Sequence, residues 1–402
     1  MCIINRLFKW KNTANTLEMR KKVLFMIGTL QSGGVSKSLV NLLNVFDRQK
    51  YEVHLMLMCT EGNIFGQYLP EDIILHTNRN IDALHSGLRG LRYFLMNFNL
   101  LIGSIYRMIL SKISKARAGI LMAHLMPNIF EDEEFELIVD YGGQQQLYYM
   151  VDKLHGKKKI TFFHNDYSKW PYYFEADRIY YKEVDGIYTI SQTCVDALVV
   201  YFPEYRDKIG IIENISSPKL IYKMAEEKVE MPKSSTVIVT LGHICKRKGT
   251  DFALEAAGIL KAKSIDFKWL FIGKIIESAF VTKVRELGLE KNIFFLGIKS
   301  NPYPYIKAAD IFVLPSRFEG KSIALDEAKI LCKPIVVTNF STVNDQFENR
   351  VNASICEMGG RDLADKIEEL INDEKLRNSY INYLEEHISD NSSEVNKLYK
   401  FL

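Results

Sequence analysis

Two α/β domains in tandem, each an open parallel sheet with helices on both faces, are what this sequence predicts. Three observations carry the prediction: the length, short apolar runs alternating with helical periodicity, and a restart of that alternation in the second half. At 402 residues the chain is longer than the roughly 250–300 residues at which a single core stops growing. Apolar residues at 47% and charged residues at 25% describe a packed globular protein and exclude a disordered one.

After a polar leader, residues 23–28 (VLFMIG) read as a strand running into glycine-rich sequence. Within residues 36–46, Leu39, Val40, Leu42, Leu43 and Phe46 recur at helical spacing, completing a strand, loop and helix. Residues 51–58, 137–141, 159–163 and 188–190 read as further strands. Strands separated by helices imply a parallel sheet covered on both faces. Residues 216–235 hold Pro218, Pro232 and a run of Lys and Glu without a strand pattern, and read as a linker. Strands are then expected at 237–241, 268–272, 293–296, 311–314 and 334–337, with helices such as 250–261 between them. The expected domains are therefore 20–215 and 236–375. A helical tail, 376–402, packs back on the first domain in this reading, and residues 362–402 read as two helices around 391–393.

The net charge of +3 is nearly balanced over this length and names no class of partner by itself. The six cysteines (Cys2, Cys59, Cys194, Cys245, Cys332 and Cys356) form no CxxC or Cys/His pairing, which argues against a zinc site and a disulfide framework and fits a reducing cytoplasm. Arg6, Lys9 and Lys11 precede a first apolar run, 23–27, that leads into glycines and not into a cleavage site, so no signal peptide is read. Residues 93–110 are apolar but interrupted by Asn97, Asn99, Ser104 and Arg107, unlike a spanning helix of about 20 apolar residues.

The chemistry concentrates in residues 316–338, SRFEGKSIALDEAKILCKPIVVT, where Glu319 and Glu327 stand either side of seven residues. A strand ends in a turn bearing Arg317 and Glu319, and a helix begins near Ser322. Unpaired N–H groups and the positive helix end are then expected to form an anion site for a diphosphate. Glu327, about one and a half turns into that helix, is placed to accept from both ribose hydroxyls, and Glu319 to face sugar hydroxyls. Any two glutamates are otherwise as compatible with solvated surface carboxylates. The whole string, from Pro315 through Glu-Gly at 319–320 to Lys333-Pro334-Ile335, resembles the E-x7-E block of retaining glycosyltransferases, above all glycosyltransferase family 4. Lys321-Ser322 stand where that family often has Phe-Gly.

Residues 241–249, LGHICKRKG, resemble the family's Gly-Arg-x4-Lys-Gly segment. Gly242, Lys248 and Gly249 match, while His243 stands in place of the arginine, with Lys246 or Arg247 as substitutes or as part of a solvated basic loop. Residues 28–38, GTLQSGGVSKS, place Gly33-Gly34 between a strand and a helix, where glycines permit close approach to a ligand. They resemble the family's N-terminal glycine loop and lack the full GxGxxG of a dinucleotide site. His164, in TFFHNDY, matches a family histidine lying against the donor sugar.

The resemblance implies a GT-B fold, two Rossmann-like domains facing across a cleft, and transfer of a hexose-like unit from a UDP- or GDP-sugar with retention of configuration. The acceptor it implies is a glycan or a lipid-linked one, in bacterial capsule, polysaccharide or lipopolysaccharide biosynthesis. Glu319, His164 and Lys248 are the catalytic candidates. Donor contacts fall to Gly33, Gly34, Gly242, His243, Arg247, Lys248, Glu319, Gly320, Lys321, Ser322, Ile323 and Glu327. No DxD pair appears, so no metal cofactor is expected, and protein cations neutralise the leaving phosphate. No nucleic-acid partner is expected. Between residues 83 and 130 there is no Asp or Glu, while Arg89, Arg92, Arg107, Lys112, Lys115 and Arg117 fall among apolar residues. That composition suits either peripheral binding to the inner leaflet or core helices with solvated ends. Two other readings stay open: an epimerase or hydrolase of nucleotide sugars on the same fold, and a non-catalytic nucleotide-sugar-binding partner protein.

Overall fold

The computed structural model describes residues 20–31, 33–85, 98–388 and 390–402. Arg6, Lys9, Lys11, Cys2, Ser32, Arg89 and Arg92 lie outside them. Seven strands, β1 (Lys21–Ile27), β2 (Tyr51–Leu57), β3 (Ile74–His76), β4 (Glu134–Asp140), β5 (His155–Phe162), β6 (Gly186–Thr189) and β7 (Ile209–Ile211), form one sheet in the order β3-β2-β1-β4-β5-β6-β7. Six more, β8 (Val237–Leu241), β9 (Lys268–Ile272), β10 (Ile293–Gly297), β11 (Ile311–Leu314), β12 (Ile335–Thr338) and β13 (Ser354–Cys356), form a second in the order β10-β9-β8-β11-β12-β13. The strand pairings in both sheets are parallel.

Both faces of each sheet are buried, as parallel strands require. Val23, Phe25 and Ile27 of β1 pack with Leu39, Leu42 and Leu43 of the helix Gly34–Val45, while Leu24 and Met26 point into a separate cluster with Met122 and Tyr148. In the second sheet Ile311 and Val313 join Leu254 and Leu260 of the helix Thr250–Ala262, and Phe312 and Leu314 join Leu325 and Ala328 of the helix Ile323–Ile330. Continuous apolar runs were therefore sound strand signals.

The strands the sequence reading leaves out are β3, β7 and β13, each of three residues. All three lie at sheet edges, where one neighbour suffices and the apolar run is short. β4 and β5 start three and four residues earlier than their apolar runs, at Glu134 and His155. Their polar starts project beyond the core and pair across strands, with Lys157 Nζ 2.9 Å from Glu136 Oε2.

Residues 216–235 include the helix Pro218–Ala225, whose Ile221 and Ala225 pack in the second domain's core. The tail runs through the helices Gly360–Asn372 and Glu374–Glu386 to two short turns, Ser392–Val395 and Asn396–Tyr399, which return to the first domain and insert Val395 and Leu398 into its core. Asn391 braces the crossover there: its amide nitrogen donates to the Asn214 carbonyl at 2.8 Å, and its oxygen accepts from Ser216 N–H at 2.9 Å. Among the described residues no helix is long and apolar enough to cross a membrane.

Candidate active site

Each sheet reverses its strand order once, between β1 and β4 in the first and between β8 and β11 in the second. At such a switch point the loops leaving the carboxyl ends of the strands diverge and leave a crevice. The loops after β1, β8 and β11 meet across the domain boundary around a cavity of about 280 Å³, just below the roughly 300 Å³ at which small-molecule sites begin.

Glycines make the meeting close. Gly33, at φ 110°, starts the helix Gly34–Val45, and a Cβ on Gly34 would lie 2.9 Å from Ile323 of the other domain. Gly249, at φ 69°, ends the basic turn Lys246–Lys248; a Cβ there would strike the Pro315 carbonyl oxygen. The turn is thereby pinned against the segment that carries Glu319.

Every residue expected to touch the donor, and His164 with them, lines this one cavity. Lys248 Nζ lies 2.6 Å from Glu319 Oε1, which also accepts from Ser316 Oγ at 2.6 Å. Glu327 is wholly buried and accepts from Lys37 Nζ at 2.7 and 2.9 Å and from the Tyr303 hydroxyl at 2.9 Å. Lys321 reaches Glu213 of the first domain at 2.5 Å. Arg247 lines the cavity and Lys246 does not. His243 is half-buried, and burial followed by Lys248, Arg247 and Lys274 pushes its pKa down, which disfavours the charged ring at the position where the resemblance places an arginine. The expectation of free amides at the start of the helix Ile323–Ile330 is corrected at Ser322, whose N–H donates to Gln346 Oε1 at 3.0 Å.

His164 is buried, with its ring nitrogens 3.0 Å from the Tyr141 carbonyl oxygen and 3.0 Å from Asn214 Oδ1. Burial pushes its pKa down to about 4. A neutral ring carries one N–H, which it donates to one of these two oxygens, and the ring stacks on Phe162 with centroids 5.5 Å apart.

Sequence reasoning missed Lys37, Asn214, Lys274, Lys299 and Tyr303. Lys37 sat inside the quoted glycine loop, one turn past Gly33, and its position at a helix start was a usable signal. Lys274 and Lys299 follow β9 and β10 and line the cavity because those strands end there too. With Lys37, Arg247, Lys248 and Lys321 they make six cations, against two carboxylates, Glu319 and Glu327. Such a surface favours a multiply charged anion.

Two parallel-sheet domains facing across a cleft lined by cations define the GT-B class of fold. Residues 223–387, most of the second domain, match the family described as glycosyl transferases group 1. The capsular polysaccharide biosynthesis glycosyltransferase CapM of Staphylococcus aureus is 31% identical over 39% of this chain and 42% of its own length. An N-acetylgalactosaminyltransferase of Campylobacter jejuni, named for a diphospho-undecaprenol substrate, is 25% identical over 50% of this chain and 55% of its own. The chain thus spans about half the length of the curated relatives it matches. The crystal structure of Anabaena HepE in complex with UDP and glucose superposes on 95% of this chain and 99% of that one, with a TM-score of 0.68 and 16% identity. That likeness is one of fold.

Proposed function

We propose that this protein is a retaining glycosyltransferase that moves a sugar from a UDP- or GDP-sugar to a glycan or lipid-linked acceptor in bacterial cell-surface polysaccharide biosynthesis. The observation that carries the reading is the cleft itself, where six cations from both domains surround Glu319 and Glu327. The relatives named for capsule and undecaprenol-linked glycans support the setting.

In this reading Lys248 and Arg247 neutralise the diphosphate as the sugar–phosphate bond breaks, in a site where preorganised charge needs no reorganisation. Lys274 and Lys299 supply the charge that His243 lacks, which favours a working donor site over a non-catalytic one. Glu319, held by Lys248 and Ser316, faces the sugar hydroxyls, and Glu327 the ribose. Protein cations take the place of a metal ion, and the leaving phosphate accepts the acceptor's proton on the same face, so configuration is retained. Proton NMR of the anomeric signal during turnover in EDTA tests this. Retention at an undiminished rate is expected, and inversion or loss of the rate in EDTA contradicts the mechanism.

The acceptor side faces a membrane in the same reading. The helix Phe98–Leu110 and the turn after it expose Ile102, Ile105, Tyr106, Met108, Ile109 and Ile113 beside Lys112, Lys115 and Arg117. Tyr172, whose ring lies 4.0 Å from Lys115 Nζ, is exposed with them. Arg107 is half-buried and belongs to the helix's inner side. Ile105→Glu with Ile109→Glu is expected to abolish flotation with phosphatidylglycerol vesicles, and unchanged flotation removes the membrane from the reading.

A further inference from the structure

Glu327 is wholly buried, and a buried carboxylate needs its oxygens hydrogen-bonded. Most of that satisfaction comes from the other domain. Oε1 accepts from Lys37 at 2.7 Å and from Tyr303 at 2.9 Å, and Oε2 accepts from Lys37 at 2.9 Å. A carboxylate offers about four acceptor positions. Among the described residues three are used, which leaves one, on Oε2. A ribose presents two hydroxyls to be accepted, so both fit only when Lys37 lets go.

Lys37 has somewhere to go. Its backbone sits in the first turn of the helix Gly34–Val45, beside Gly33 and Gly34 in the cleft wall, and its ammonium lies 5.1 Å from the centre of the Tyr303 ring. Released, it stays in the cleft with the cations that face a diphosphate. The pair holds while no other donor reaches Glu327, because a carboxylate left buried without partners is costly. Ribose hydroxyls supply the hydrogen bonds that Lys37 withdraws, so the exchange keeps the carboxylate satisfied.

We propose that Lys37 is an interdomain latch on Glu327, which closes the cleft by pairing with that carboxylate and is displaced by the ribose hydroxyls of a nucleotide donor. The proposal rests on the donor-site reading given above. Its two halves are separable. The latch predicts that Lys37→Met opens the protein without nucleotide, read as a larger radius of gyration in small-angle scattering. Lys37→Met combined with Glu327→Gln, which leaves no lone buried carboxylate, opens it as well. A double variant as compact as the native protein overturns the latch, whatever binds.

The displacement half is read by titrating UDP, GDP and their 2′-deoxy forms against the native protein and Lys37→Met. In the variant the second hydroxyl is accepted without expelling a lysine. Its preference for ribose over deoxyribose is expected to rise roughly threefold to tenfold, the worth of one hydrogen bond. An unchanged preference overturns displacement. If the native protein binds neither nucleotide while the scattering shift is seen, the donor-site reading falls, displacement falls with it, and the latch stands.

Discussion

His164 shows how much a single buried side chain decides. Its pKa is about 4 in the fold, against about 6.5 unfolded, because burial disfavours the charged ring. Between those values the unfolded chain binds a proton that the folded one does not, so this residue's contribution to stability falls as pH drops from 6.5 through 4. Asp140 and Asp177, which burial pushes up to about 6 and about 7, act in the opposite sense, since their stability contribution is lost as pH rises. A comparison with His164→Gln isolates the histidine. Urea unfolding should show the native protein losing up to about 3 kcal/mol relative to the variant over that window. Lys248→Met, which removes the cation 2.6 Å from Glu319, should lower kcat on the order of 100- to 1000-fold, measured by nucleotide release. That Lys248, Glu319 and Glu327 gather in one cavity was legible in the sequence because they stand in spaced strings after strands. Tyr303 was not, since only the folded chain brings its hydroxyl to Glu327.

At the scale of elements, loops at the carboxyl ends of strands carry the site, and two glycines set how near they come. Gly249→Ala would combine a left-handed φ with a collision against Pro315, and is expected to cost about 2 kcal/mol or more in urea unfolding. Gly320 faces the other domain, where a Cβ would lie 3.0 Å from Ile190 Cδ1 and 3.1 Å from the His164 carbonyl oxygen. Gly320→Val should therefore weaken nucleotide binding about tenfold by calorimetry, through crowding worth about 1–3 kcal/mol, while each domain stays folded. Central strands were readable as unbroken apolar runs because both their faces are buried. The edge strands β3, β7 and β13 were not, because three residues carry too little pattern.

For the molecule as a whole, two sheets are joined twice, once by the forward crossing near 212–217 and once by the returning tail. The tail fills the first core with Val395 and Leu398, so a chain ending at Ile388 should lose about 3–6 kcal/mol in urea unfolding, from two buried apolar side chains. The pairing of the domains through Lys37–Glu327 and Lys321–Glu213 was invisible in the sequence, where the partners lie 290 and 108 positions apart. Whether that paired cleft takes a nucleotide sugar is tested most directly by thermal unfolding with UDP-, GDP-, ADP- and CMP-sugars, with and without EDTA, on the native protein and on Glu327→Ala. Stabilisation by one nucleotide class, about 2.7 kcal/mol at a hundredfold excess over Kd, unaffected by EDTA and lost in Glu327→Ala, is the expected result. No stabilisation by any of them, or equal stabilisation of the variant, would contradict a donor site in this cleft.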